Sequence, residues 1–209
     1  MPSKINFRKA IVHLKSVDPV LAKLFDCCSP VVLRPHINYF KSLTEAIISQ
    51  QLSDKAATTI INRFKTLFFG KDFPSPKQVL RKSDAILRSV GVSGAKVSYI
   101  KNLAKAIENK AVHFKDLDKI SDEEIIEMLV KVKGIGRWTA EMFLIFSLGR
   151  PDVFSCGDLG LRNAIKKLYS LRKDPSLKQL QKLSSRWQPY RTCASLYLWA
   201  SLNNRYGNL

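Results

Sequence analysis

Apolar positions recur at intervals of three and four along most of the chain, and no stretch keeps the period-two alternation of a half-buried strand. Ile5, Phe7, Ile11, Leu14 and Val17 mark a first helix over 5–17. Asp18-Pro19 then supplies an N-cap and a first-turn proline for a second, shorter one. Two prolines make 30–36 an irregular connector, after which 39–48 reads as a buried helix leading into the stretch 49–57 and then an apolar-periodic helix to about Phe69. Pro74-Ser75-Pro76 marks a loop, and 77–90 reads as a pair of short helical turns. Val97, Ile100, Leu103, Ala104 and Ile107 define the inward stripe of an amphipathic helix over 96–110, whose lysines at 96, 101, 105 and 110 read as a solvated face. Further helices are expected over 159–171 and about 184–202. The predicted fold class is all-α.

The stretch from Ser121 to Asp158 departs from plain periodicity. Ser121 followed by Glu124 is a capping box, and Ile125, Ile126, Met128, Leu129 and Val132 continue from it at helical spacing. Gly134 and Gly136 break that helix, and Trp138, Ala140, Met142, Phe143, Ile145 and Phe146 resume a pattern expected to be buried. The stretch therefore reads helix, tight Gly-x-Gly hairpin, helix. Alternate glycines tolerate positive φ and let a foreign backbone come close, and the amides opening the second helix lie at the positive end of its dipole. A phosphate is the natural ligand of such a turn, with Lys133 beside it. Further on, Asp158 directly precedes a helical pattern, which makes it an N-cap, and the helix dipole favours a negative charge there.

Composition adds a partner class. The 209 residues carry 35 lysines and arginines against 17 acidic residues, a net charge of +18. That excess in a well-folding composition points to a polyanion, bound in a salt-sensitive way. No apolar run approaches the roughly 20 residues needed to cross a bilayer, and the opening Met-Pro-Ser-Lys-Ile-Asn-Phe-Arg lacks the apolar core of a secretion signal. An intracellular protein, nuclear if eukaryotic, is expected. Cys27, Cys28, Cys156 and Cys193 fit no zinc or iron–sulfur spacing and read as reduced packing or surface thiols.

The hairpin followed by Asp158 resembles the helix-hairpin-helix superfamily of DNA glycosylases, and within it the alkyl-purine branch of the 3-methyladenine DNA glycosylase II type. That branch carries Asp-Val-Phe-Pro-x-Gly-Asp-Leu-Gly where 152–160 reads Asp-Val-Phe-Ser-Cys-Gly-Asp-Leu-Gly. The likeness spans about 38–205. It implies a two-lobed helical fold forming one glycosylase-like unit over 1–209, in a compact form without the N-terminal sheet domain of larger relatives. One lobe is expected at about 38–152, the other from 1–37 plus 153–209.

The resemblance also assigns roles. Asp158 falls on the catalytic position, where a carboxylate stabilises the oxocarbenium character built at C1′ while water attacks. Gly134, Gly136, Thr139 and Lys133 would hold the DNA backbone. Gln51, Leu52 and Ser53 would form the minor-groove wedge, with Leu52 as its apolar member. Gly91, Ser93, Gly94 and Lys96 would make a second DNA loop, Lys96 lying near a phosphate. Trp138, Met142 and Trp199 match base-pocket positions, where aromatic faces attract electron-deficient alkylated purines. The backbone carbonyls of Val130, Val132 and Ile135 would hold a monovalent cation, Na+ or K+, and no other cofactor is required. Branches that also cut the strand place a lysine where this chain has Trp138, so a monofunctional enzyme is implied.

Three departures from the branch stand out: a largely polar wedge, Met142 in a tyrosine position, and Ser155 for proline. Ser155 is expected to leave the approach to Asp158 freer. The expected function is therefore base-excision repair by a monomeric glycosylase acting on alkylated purines in double-stranded DNA. The alternative is a catalytically weak or inactive homologue that binds abasic or damaged DNA without excising a base.

Overall fold

A computed structural model describes residues 5–27, 33, 35–70 and 72–202. Cys28 and most of the 30–36 connector lie outside the described residues. Among those described there are twelve α-helices and no strand, as the apolar periodicity predicts.

The chain divides into two compact units, one formed by 36–143 and the other by 1–35 with 144–209. The second unit begins with α1 (Phe7–Val17), capped by the Asn6 side chain, and α2 (Pro19–Cys27). Asp18 caps α2 as expected, its Oδ1 accepting from the Val20 and Leu21 amides. Its Oδ2 does more than the local pattern shows: it accepts from Tyr169 Oη at 2.6 Å and from Trp187 Nε1 at 2.9 Å. A carboxylate only 2% exposed is thus satisfied by four donors, as a buried charge requires.

The 36–143 unit contains α3 (Tyr39–Ser49), α4 (Asp54–Thr66), α5 (Pro76–Arg81), α6 (Asp84–Ser89), α7 (Gly94–Glu108), α8 (Asp122–Val130) and α9 (Arg137–Phe143). α7 packs on α3, α5 and α6, and α3 also meets α4 and α9. Ser53, Ser75, Ser83, Ser93 and Ser121 each cap the helix that follows, with full capping boxes at Ser75 and Ser121. The inward stripe of α7 is buried at Val97, Ile100, Leu103 and Ala104.

After α9 the chain winds through one π-helical stretch, Leu144–Leu148, and continues to α10 (Leu159–Leu168), α11 (Leu177–Ser184) and α12 (Arg191–Leu202). Two expectations are corrected here. The single helix read over 184–202 is interrupted at Gln188-Pro189, because proline lacks the amide that a helix interior needs and clashes with the preceding turn. The division expected after 152 falls after Phe143. Segment 150–153 is bonded to the head of α12: Thr192 N–H donates to Pro151 O, Val153 N–H to Thr192 Oγ1, and the Arg191 guanidinium to both Asp152 oxygens. The core of this unit centres on Leu14, Leu21, Leu161, Ile165, Trp187 and Leu198.

Candidate functional site

The hairpin is built by its buried residues. Val132 and Ile135 are 6% and 4% exposed, so the turn is anchored from inside while Lys133 and Gly136 stay outside. Val132 N–H donates to Leu129 O and Ile135 N–H to Val132 O, each at 3.0 Å. Gly134 takes φ +107°, and a Cβ there would lie 2.2 Å from Tyr99 Cγ. Both facts demand glycine. Gly136 has no such constraint: its backbone is not left-handed and a Cβ would meet nothing within 4 Å. What Gly136 keeps open is outward space at the head of α9, where the helix dipole favours an anion.

An ion-pair lock holds the two hairpin helices. Arg137 donates to both Glu123 oxygens at 2.7 and 2.8 Å and to Glu141 Oε1 at 3.1 Å. The Arg137 hydrogen bonds hold the Glu123 carboxyl below the usual carboxylate range. This arginine, the first residue of α9, is occupied by protein. Lys131 and Lys133 remain as exposed cations of the turn.

The turn between α3 and α4 approaches this hairpin within the same unit. Gln50 Nε2 donates to Gly134 O at 3.1 Å, and Lys96 Nζ donates to Ile48 O at 2.9 Å and Gln50 O at 2.7 Å. Lys96 therefore serves as a C-terminal cap of α3, where its charge meets the negative end of the dipole, and its ammonium is directed to carbonyls where a phosphate contact was expected. Burial lowers its pKa below the usual lysine value. Gln51 adopts φ +57° and is exposed, as is Leu52. Ser53, the third expected wedge residue, turns inward on its own helix, its hydroxyl accepting the Ala56 amide. The tip is thus Gln51-Leu52. Of the expected second loop, Ser93 caps α7 and Gly91 needs its φ of +98°, while Gly94 is the first residue of the helix.

A cavity of about 830 Å³ opens among these elements, lined by Gln51, Leu52, Tyr99, Trp138, Thr139 and Met142 among others. Its size suits a small organic group. Trp138 was expected in the core together with Phe146, yet they are 46% and 38% exposed. A period-3.6 pattern cannot separate a core aromatic from one that walls a cavity. Tyr99 is the lining aromatic that the sequence reading missed, since α7 showed only an amphipathic stripe.

Asp158 and Trp199 lie in the other unit. Asp158 is the N-cap of α10 and 8% exposed; its Oδ1 accepts from Leu161 N–H at 2.8 Å and from Trp199 Nε1 at 2.9 Å. Trp199 stacks on Phe146, with ring centroids 5.7 Å apart. Gly160 makes room for this meeting, because a Cβ there would stand 3.1 Å from both Asp158 Oδ1 and Trp199 Cδ1. Ser155 stands where the branch has proline. It is fully buried, and its carbonyl accepts the Asp158 amide at 3.1 Å.

Known proteins supply the family of the chain. Residues 44–189 match the model of the HhH-GPD superfamily base excision DNA repair protein family. The chain is 37% identical over 203 residues to the alkylbase DNA glycosidase-like protein mag2 of Schizosaccharomyces pombe, covering 95% of each chain. It is 38% identical over 195 residues to DNA-3-methyladenine glycosylase 1 of the same yeast, covering 91% of this chain and 86% of that one. Among solved structures, the S. pombe 3-methyladenine DNA glycosylase Mag1 in complex with abasic DNA superposes with a TM-score of 0.83 at 37% identity, covering 92% of this chain and 96% of Mag1. A DNA-3-methyladenine glycosidase from Bacillus halodurans gives 0.84 at 38%, covering 98% and 92%. With the hairpin, the capped aspartate and a match over more than two thirds of its length, this chain belongs to the HhH-GPD superfamily of base excision DNA repair proteins.

Proposed function

We propose that the protein is a monofunctional DNA glycosylase that hydrolyses the N-glycosidic bond of alkylated purines such as 3-methyladenine in double-stranded DNA. The observation that carries this reading is Asp158, a nearly buried carboxylate held by the Leu161 amide and the Trp199 indole. A fixed negative charge of this kind is what an oxocarbenium-like transition state needs. The bond between C1′ and the cationic base breaks with its electron pair leaving on the base, which departs neutral. Asp158 stabilises the positive charge left at C1′ and O4′; water adds to C1′ and gives up a proton, leaving an abasic deoxyribose. Water is the only co-reactant.

In this reading Gly134, Gly136, Thr139 and Lys133 grip a backbone phosphate, the Gln51-Leu52 tip fills the gap left by the extruded nucleotide, and Trp138 and Met142 wall the cavity that receives the base. A monovalent cation fits the hairpin carbonyls: among the described residues no donor reaches Val130 O or Ile135 O, whereas Val132 O accepts one amide. Such an ion would link the turn to a DNA phosphate. If the cell is eukaryotic, work on chromosomal DNA would put the protein in the nucleus.

The test is release of free 3-methyladenine from methylated duplex. Wild type releases it, and Asp158→Asn lowers the rate about a hundredfold or more while binding to an abasic-analogue duplex persists. A second reading, a binder of abasic DNA without turnover, draws on the left-handed Gln51 at the tip, a conformation suited to filling a gap whatever the chemistry. Tight abasic binding by a wild type that frees no base establishes that reading and removes the first.

A further inference from the structure

Three segments of the 36–143 unit that sequence treats as separate are joined by hydrogen bonds from two side chains. Gln50 Nε2 spans 84 positions of sequence to reach Gly134 O, in the hairpin. Lys96 Nζ, at the start of α7, spans 46 positions to Gln50 O and 48 to Ile48 O. Gln50 is thus held at both ends: its amide is bonded to the hairpin, and its carbonyl receives the ammonium. The residue next to it, Gln51, sits at φ +57°, a left-handed conformation that costs free energy for a residue with a Cβ. Such strain persists where the surroundings over-determine it, and it gathers where a side chain must be aimed. Here the Leu52 amide donating to Ser49 O closes the turn from the other side. Both Gln51 and Leu52 project at the mouth of the cavity that Trp138 lines.

We propose that Gln50 and Lys96 are positioning residues that fasten the 50–53 turn to the hairpin, so that the grip on a backbone phosphate fixes how the Gln51-Leu52 tip enters the gap left by a missing or extruded base. This rests on the DNA-binding part of the reading above and not on its chemistry. Two consequences separate it from simple structural support. Gly134 packs so closely on Tyr99 that a Cβ would meet its ring at 2.2 Å, so a phosphate bound at the hairpin and the wedge tip share one frame, and affinity for a gapped stack depends on the strut more than affinity for intact duplex does. Lys96, moreover, contributes donors and not a phosphate contact, so its removal leaves the electrostatic part of binding in place.

The experiment uses the full chain with Gln50→Met, Lys96→Met, the double variant and Lys96→Arg. It measures affinity for a duplex carrying a tetrahydrofuran abasic analogue and for the undamaged duplex, with 2-aminopurine opposite the analogue to report insertion. Each methionine variant keeps its affinity for undamaged duplex within about twofold and loses about tenfold of its preference for the abasic analogue. The 2-aminopurine change on binding shrinks in parallel. The double variant loses no more than the worse single, because both side chains hold one turn, and Lys96→Arg restores part of the preference. Unchanged preference, or additive losses that strike both duplexes alike together with a fall in melting temperature, overturns the proposal. No base release is read, so the outcomes separate. A wild type that discriminates abasic DNA without freeing a base removes the glycosylase reading and leaves the strut standing, whereas an active enzyme whose variants keep their preference does the reverse.

Discussion

Trp199 donates its indole N–H to Asp158 Oδ1 at 2.9 Å, across a space kept open by the missing side chain of Gly160. An indole that points its polar edge at a carboxylate and stacks its face on Phe146 orients that carboxylate. Trp199→Phe keeps the stack and deletes the donor. Loss of one charge-assisted hydrogen bond is expected to slow base release about tenfold or more. Binding to an abasic-analogue duplex should be unchanged. Gly160→Ala, which crowds the same contact, should lower the rate in the same direction. Single-turnover release kinetics beside equilibrium binding check both, and an effect confined to binding would move Trp199 into the base pocket alone.

Charge at the hairpin separates into cations bonded to protein and exposed lysines. Arg137 is shared between Glu123 and Glu141. Lys96 faces carbonyls. Lys133 is exposed on the turn itself. The slope of log K against log salt for duplex DNA should therefore fall by about one on Lys133→Ala and stay as it is on Lys96→Met. A titration between low and physiological salt measures it, and equal slopes for wild type and Lys133→Ala would detach this lysine from the phosphate.

Local signals in the sequence carried the helices, their caps and the capped aspartate, because each is decided within four residues. Ser121 with Glu124 reads as a capping box and forms one; Asp158 reads as an N-cap and accepts the Leu161 amide. Apart from the break at Pro189, the missed features are non-local. Nothing near Gln50 announces a carbonyl 84 positions away, nothing near Gly134 announces Tyr99, and the Lys96 ammonium was assigned to DNA because its carbonyl partners lie in another helix. Trp138 illustrates a further limit: periodicity says that a side chain leaves water, and is silent on whether it enters a core or the wall of a cavity.

A buried thiol and a partly buried phenol lower stability at alkaline pH. Burial, reinforced by the hydrogen bond and charge of Asp18, raises the Tyr169 pKa far above the usual phenol, and burial pushes the Cys193 thiol up to about 12. In the unfolded chain these groups release their protons at about 10 and about 8.5. Unfolding at high pH therefore releases protons that the folded state retains, and stability falls as pH rises from about 8.5 toward 12. Tyr169→Phe and Cys193→Ala should each flatten that limb while leaving the slope between pH 6 and 8 unaltered. Urea unfolding midpoints at several pH values give the comparison, and an unchanged alkaline slope in both variants would place the titrating groups elsewhere.

The two hairpin glycines, alike in sequence, should fail in different ways. An alanine at 134 must hold φ near +107° and place its Cβ 2.2 Å from the Tyr99 ring. Even after the tyrosine shifts, strain and overpacking together should cost about 2–4 kcal/mol of stability. An alanine at 136 meets no protein atom within 4 Å and no left-handed backbone. Gly136→Ala should fold with wild-type stability, since it also lowers the entropy of the unfolded chain. Its methyl group would stand where a phosphate approaches the amides that open α9, so duplex affinity should drop about tenfold through loss of close backbone contact. Thermal unfolding and DNA titration of the two variants side by side make the comparison. A Gly136→Ala protein that binds duplex as wild type does would mean that the strand approaches by another face, and the grip assigned to this turn would have to be given up.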